Sequence, residues 1–311
     1  MYTWYNYANS PGEMITINSQ LKGSLILVCT SIIWGMAFSA QSTAMRYLQP
    51  YTFVFLRSVI TFLVLMAAMP LIRRFSGDGA SSENSGWKAH LIPGAVIGLF
   101  LALATILQQV GLVHTTPAKS GFVTALYIVM VPLLGLFMGR RVGRMLWLGL
   151  ALSLTGMVLL CVQTDLSVNI GDLFTLGSAL MFSLQIIMIS RFAPNMDALK
   201  LSALQFAVCA VISGVAALLF ETVRLDGVMN CWPSILYVAV CSGAIGYTLQ
   251  MVGQKYTDPT LAAILMCLES VFAALGGWLL LGQSLSPREL LGCALMLAAS
   301  VIAQLPEKRA A

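Results

Sequence analysis

Ten stretches of continuously apolar sequence run the length of the chain, at about 23–42, 51–72, 90–111, 118–138, 145–162, 171–190, 201–220, 233–254, 259–281 and 288–305. A helix of about 20 apolar residues, rising ~1.5 Å per residue, crosses the ~30 Å hydrocarbon core of a bilayer. Backbone groups cannot stay unpaired in lipid, so such segments must be helices or a closed barrel. The runs lack two-residue alternation, which excludes the barrel. Charge agrees: 9% of residues are charged, against roughly 25% in soluble domains, too few to cover a water-facing surface. Ten spans use about 200 residues of the 311, leaving short loops and no further soluble domain. The expected fold class is an all-α integral membrane protein with ten transmembrane helices.

The connections hold turn formers, Pro50, Pro117, Pro194, Pro259 and Pro287. The longest carries GDGASSENSG (77–86), small and polar, and is expected to be a flexible linker. Residues 1–22 are polar and aromatic, without a basic n-region or a clear cleavage site, so they are expected to form a retained cytoplasmic tail. Lys and Arg set orientation. With the N-terminus in the cytoplasm, twelve fall inside (Lys22, Arg73, Arg74, Lys88, Arg140, Arg141, Arg144, Arg191, Lys200, Lys255, Lys308, Arg309). Four fall outside (Arg46, Lys119, Arg224, Arg288), and Arg57 lies within a span. The expectation is a multi-pass protein of the cytoplasmic membrane with both termini inside. The cluster GRRVGR (139–144) is a topology signal that also attracts anionic lipid, not a nucleic-acid site.

The residues speak against covalent chemistry. Of the seven cysteines all but Cys231 lie in apolar runs, and none form a CxxC pair, so they are packing residues rather than disulfides or ligands. His90 and His114 are far apart near span ends, which leaves no metal cluster. There is no HExxH motif, no evident pair of intramembrane aspartates, no Gly-rich phosphate loop and no ATP-binding segment. No catalytic residue, metal or cofactor is expected.

The two halves of the chain resemble each other. LQQVGLVHTTP (107–117) aligns without gaps on LQMVGQKYTDP (249–259), six identities in eleven at a shift of 142. The same shift pairs Leu126 with Leu268 and Gly135 with Gly277. It lays the third and fourth helices on the eighth and ninth, so the unit is five helices, 23–162 and 171–305. An odd unit reverses its second copy across the membrane. Such inverted-topology repeats are common in secondary transporters, whose substrates bind near the midplane at the repeat interface.

Longer motifs run alongside the repeat: Trp34–Gly35 in the first helix, Phe55 to Arg57 in the second, TTPAKSGFVTALYIVMVPLLGL (115–136), GDL (171–173) and YTDPTLAAILMCLESVFAALGGWLLLGQSLS (256–286). Through them the chain resembles the drug/metabolite transporter superfamily, in its EamA-type branch of ten-helix carriers, over nearly all of residues 23–305. Ser270 stands where many members have Pro, and Gly282–Gln283 where many end the helix in Gly-Glu. The resemblance implies a carrier of amino acids, other metabolites or drugs, often an exporter.

Glu269 is the leading site candidate. It lies ten residues past Pro259, about 15 Å along the helix and near the bilayer centre. An acid there costs about 2.5–3.5 kcal/mol on insertion scales. It should face the bundle interior, either as a structural hydrogen-bonding group or as a group that carries a proton or binds a substrate ammonium. Its face runs Ala262, Met266, Glu269, Ala273, Gly276; the repeat-related face of the fourth helix is Ser120, Thr124, Tyr127. Thr124 and Tyr127 are expected to line one cavity with Glu269, unless the Ser and Thr hydroxyls of this face bond back to their own helix carbonyls. Arg57, about two turns into the second helix, either snorkels outward or clamps a carboxylate. Lys119, nearer a span end, is expected to snorkel. Trp34 lies mid-span, lining a pathway or packing. Gln108 and Gln250 are expected near opposite membrane faces, as helix–helix hydrogen-bonding groups or gates; Gln185 and Gln205 are weaker cases of the same kind. Pro132 is expected to kink the fourth helix.

Three classes compete. A channel calls for a ring of identical polar groups around a pore, and a membrane-embedded enzyme for a recognisable catalytic set. The repeat and the buried acid favour a secondary transporter of small metabolites, with an amino acid exporter as the specific expectation from the resemblance. Its partners would be a small-molecule substrate and the lipid bilayer, with a proton as an open coupling ion.

Overall fold

The computed structural model describes residues 17–76, 86–115, 117–161, 169–222, 225–281 and 284–305. Residues 1–16 of the tail, 77–85 of the long linker, Arg224, Gly282–Gln283, Lys308 and Arg309 lie outside the described residues.

The chain is an all-α, multi-pass membrane protein. The first half comprises α1 (Ile17–Ala44), α2 (Pro50–Ser76), α3 (Trp87–His114), the broken pair α4 (Pro117–Ala125) and α5 (Tyr127–Phe137), and α6 (Arg144–Cys161). The second half comprises α7 (Ile170–Phe192), α8 (Ala198–Phe220), α9 (Leu225–Tyr237), a π-helical stretch (Val238–Gly246), α10 (Tyr247–Gln254), the broken pair α11 (Pro259–Met266) and α12 (Glu269–Leu281), and α13 (Pro287–Ile302). Among the described residues nine spans are long and apolar enough to cross a bilayer. The tenth helix, α13, has 16 residues, about 24 Å of rise, and packs along α6.

The sequence-based span limits hold to within a few residues, except at two starts. α1 begins at Ile17, because the polar residues ahead of the apolar run continue the helix. The eighth span begins at Leu225 and bends at Cys231, two residues before Pro233. The bend suits a proline, which cannot supply the N–H of the preceding turn.

Apolar side chains lie both in the packed core and on the outer surface, and many polar ones are buried. Phe137, Leu218, Leu219 and Phe220 are exposed, while Gln41, Gln108, Gln109, Gln185, Gln205, Gln250 and Gln254 are buried. Lipid is an apolar medium besides the core, so polar side chains gather where they can satisfy one another.

Packing follows a two-fold relation between the halves. α3 lies against α7, and their repeat mates α10 and α1 lie against each other; α2 packs on its own mate α8, and α6 on its mate α13. Paired glycines bring the backbones together at each end. A Cβ on Gly111 would stand 2.8 Å from the Gly171 carbonyl oxygen, and one on Gly23 would stand 2.8 Å from that of Gly253. Gly23 and Gly171 are 148 positions apart, so α1 and α7 carry a slightly different repeat shift from the 142 of the later spans.

Candidate functional site

Two helices break at the same repeat position. In the fourth span Leu126 N donates to Val123 O (3.2 Å), and in the ninth Leu268 N donates to Leu265 O (3.3 Å), equivalent bonds at the 142-residue shift. Each tight turn ends an α-helical segment, and the residue that opens the next segment faces inward. In the fourth span that residue is Tyr127, and in the ninth it is Glu269. The mates meet: Tyr127 Oη donates to Glu269 Oε1 at 3.5 Å, a long bond, with both side chains buried. Pro132 is not the cause. α5 runs through it, and Ala274 occupies its repeat position beyond an equally broken helix.

Around this pair lies a cavity whose space free of protein atoms, about 520 Å³, includes open solvent. All seven candidate residues line it: Trp34, Arg57, Gln108, Thr124, Tyr127, Gln250 and Glu269. Gln108 and Gln250 both line it, and each bonds to a neighbouring helix. Gln108 Nε2 donates to Thr124 Oγ1 (3.2 Å), so Thr124 bonds across to α3. Gln250 and Gln185 exchange amide bonds of 3.4–3.5 Å, and Gln185 also reaches Gln205 (3.3 Å). Ser120 is buried but does not line the cavity. Ala273 and Gly276, on the Glu269 face, approach α1 at Gly35 and Met36 instead.

One wall rests on the π-helical stretch of the eighth span. Wide π turns leave carbonyls ill-paired and recur at functional sites. Here Trp34 Nε1 donates to Ser242 O (3.2 Å) and Thr61 Oγ1 to Ala239 O (2.8 Å), so side chains from α1 and α2 bind the stretch. The indole thus serves lining and packing together, with the Tyr247 ring tilted against it at 4.8 Å and Phe206 edge-on to Tyr247. Arg57 does not snorkel. It is 5% exposed, points into the cavity and donates to Gln41 Oε1 (3.1 Å). Sequence reasoning missed Gln41, Ser242, Tyr247, Phe38 and Phe182 as lining residues. Of these only Gln41, a polar group within the first apolar run, left a signal.

One mouth of the fold holds an ion pair that overturns the expected snorkelling of Lys119. Asp172, of the GDL motif, takes Lys119 Nζ (2.6 Å), Thr115 Oγ1 (2.9 Å) and Asn169 N (2.9 Å). The carboxylate so ties the end of α3, the start of α4 and the cap of α7. Asp172→Ala is expected to cost roughly 1–3 kcal/mol, the penalty of leaving buried partners unmade. A lower melting temperature in detergent, largely restored by Asn, would bear this out; an unchanged one would refute it. At the mating position of α1 stands Ser24, whose Oγ has no partner, so the two ends of the fold are not equally tied.

His90 is structural: its Nε2 accepts from Asp197 N (3.1 Å), joining α3 to the cap of α8. All seven cysteines are free. Among the described residues no group of His, Cys, Asp and Glu is placed to hold a metal.

The model of the EamA-like transporter family matches residues 21–162 and again 169–304. A relative from Archaeoglobus fulgidus, named an uncharacterized transporter, is 27% identical over 292 residues, 92% of this chain and 87% of its own. The Bacillus subtilis uncharacterized transporter YvbV is 26% identical over 238 residues, 73% of each chain. A solved crystal structure shares the fold with a TM-score of 0.74 and 20% identity, covering 91% of this chain and 96% of its own. Two copies of the family's pattern, each carrying one broken helix that opens onto a shared cavity, make this chain a membrane transporter that belongs to the EamA-like transporter family.

Proposed function

We propose that the chain is a secondary transporter that exports amino acids or related small metabolites across the cytoplasmic membrane, by alternating access around the cavity. The observation that carries the reading is the buried Tyr127–Glu269 pair, repeat mates that meet where the two broken helices open. Broken helices leave a deformable point in each half, and rocking one half against the other around a fixed site is how inverted repeats alternate access. Glu269 is the acid of this cavity, and Arg57, Tyr127 and Tyr247 are its other ionisable lining groups. A carboxyl placed there can carry a proton or hold a substrate ammonium. The Lys and Arg distribution supports both termini in the cytoplasm.

The test compares metabolites inside and outside cells with and without the native chain. The reading expects at least one amino acid or related solute to accumulate outside only when the chain is present. If no solute moves outward, export is wrong; if solutes move inward, direction alone is wrong.

A further inference from the structure

The lining of the cavity divides in two when the repeat is applied to it. Six lining positions of the first half have mates that also line it: Trp34 with Phe182, Ala37 with Gln185 and Phe38 with Ile186 at the α1–α7 shift, and Gln108 with Gln250, Thr124 with Met266 and Tyr127 with Glu269 at the later shift. Four residues have no such mate: Gln41, Arg57, Ser242 and Tyr247. The α7 position matching Gln41 is Ile189, fully buried in an apolar cluster away from the cavity. These four sit on α1, α2, the π-helical stretch and α10, so the symmetric cavity has one unsymmetric lobe.

That lobe holds a cation short of partners. Arg57 makes one hydrogen bond, to Gln41 Oε1, and its Nε makes none. Among the described residues no carboxylate pairs with it. Phe53 lies under the guanidinium at 5.8 Å, a partial compensation. A buried charge without a counter-ion is strongly unfavourable unless something completes it. The side chain is held in place all the same, because Gln109 Nε2 also donates to Gln41 Oε1 and fixes that oxygen. Three of the guanidinium's five donors, those left on its terminal nitrogens, thus have no protein partner at a residue that lines the cavity beside aromatic rings, an arrangement that suits a planar oxyanion bound two-point.

We propose that this lobe is the anion subsite of the transporter: Arg57 binds the carboxylate of the substrate, and Gln41 is the positioning residue that aims it. The proposal rests on the transport reading and deepens it. The substrate lies across the pseudo-symmetric cavity with its anionic end on Arg57 and the rest of the molecule against Trp34, Phe38 and Tyr247. Recognition is then lopsided in a fold whose frame is symmetric.

Binding tests the subsite without requiring movement. Purified protein is titrated with 3-phenylpropionate and with 3-phenyl-1-propanol, the neutral isostere, followed by intrinsic tryptophan fluorescence and thermal shift. The acid is expected to bind at least about tenfold tighter than the alcohol, ~1.4 kcal/mol. Arg57→Met should abolish the difference, Arg57→Lys should keep part of it, and Gln41→Leu should weaken the acid alone, with Gln41→Asn restoring some. Arg57→Met protein that elutes as a folded monodisperse species makes the comparison valid; if it does not fold, Gln41→Leu and the native acid–alcohol ratio carry the test. Equal binding of acid and alcohol, or binding of neither, overturns the subsite. Acid-selective binding in a chain that exports nothing keeps the subsite and removes the export reading. Export of a solute with no anionic group does the reverse.

Discussion

Glu269→Gln is expected to cut flux of the exported solute at least tenfold and to flatten any pH dependence that the native chain shows. The amide keeps the volume of the side chain and can still accept from Tyr127 Oη. What it loses is the charge and the exchangeable proton. A tenfold loss corresponds to about 1.4 kcal/mol, less than the roughly 2.5–3.5 kcal/mol that an acid costs at this depth. A fold that retains so costly a group without using it would gain stability from the amide and lose no flux. Tyr127→Phe gives the scale: it removes one long hydrogen bond, worth about 0.5–1.5 kcal/mol, and should cost flux less than the glutamine does. Flux measured at several pH values in reconstituted vesicles decides the matter. A glutamine variant with the native rate and the native pH profile would leave Glu269 a structural residue.

Gly35→Val should prevent folding, and Gly35→Ala should lower the melting temperature markedly. A Cβ at this position would stand 2.6 Å from the carbonyl oxygen of Glu269, 2.8 Å from Ala273 N and 3.0 Å from Phe272 Cβ. The first two are backbone atoms at the start of α12, and they cannot rotate away. The methyl must push α1 off α12, at the overpacking cost of about 1–3 kcal/mol, and the larger side chain more. The displaced helix is the one that presents Glu269, so flux should fall further than stability does. Gly177, in α7, supplies the opposite case. A Cβ there meets only Leu107 Cδ1 at 3.4 Å, and the change to Ala should be neutral or stabilising by up to about 1 kcal/mol through helix propensity. Melting temperatures in detergent of both alanine variants check the pair; equal shifts would mean that the α1–α12 contact is not tight.

The fold was legible because lipid makes burial simple. An apolar run long enough to cross the bilayer has one viable structure, so spans and fold class followed from hydropathy, and the limits missed only where polar residues extend α1 and where the eighth span starts beyond its apolar run. The repeat carried the heart of the site. The shift of 142 places Tyr127 on Glu269, and the two side chains meet. Pro132 misled, since the break belongs to the repeat and recurs at Leu268 without a proline. Lys119 misled because its partner Asp172 is distant in sequence, and pairing between distant residues leaves no local pattern. Tyr247 and Ser242 were invisible for a related reason: they gain their place from the π-helical stretch, a local widening that apolar periodicity does not register. Gln41 left only the signal of a polar group in an apolar run, because its role comes from Arg57 and Gln109, on two other helices.

The central claim is that the cavity around Tyr127 and Glu269 is the path of the solute, opened to one side and then the other. Thr124, a buried lining residue, reports on it when replaced by cysteine and exposed to a membrane-impermeant thiol reagent, in intact cells for the outer side and in inverted vesicles for the inner side, with the unsubstituted chain as the background. The account predicts labelling from both sides, at rates that shift in opposite directions when the exported solute is supplied. Labelling from one side only, whatever solute is present, would contradict it.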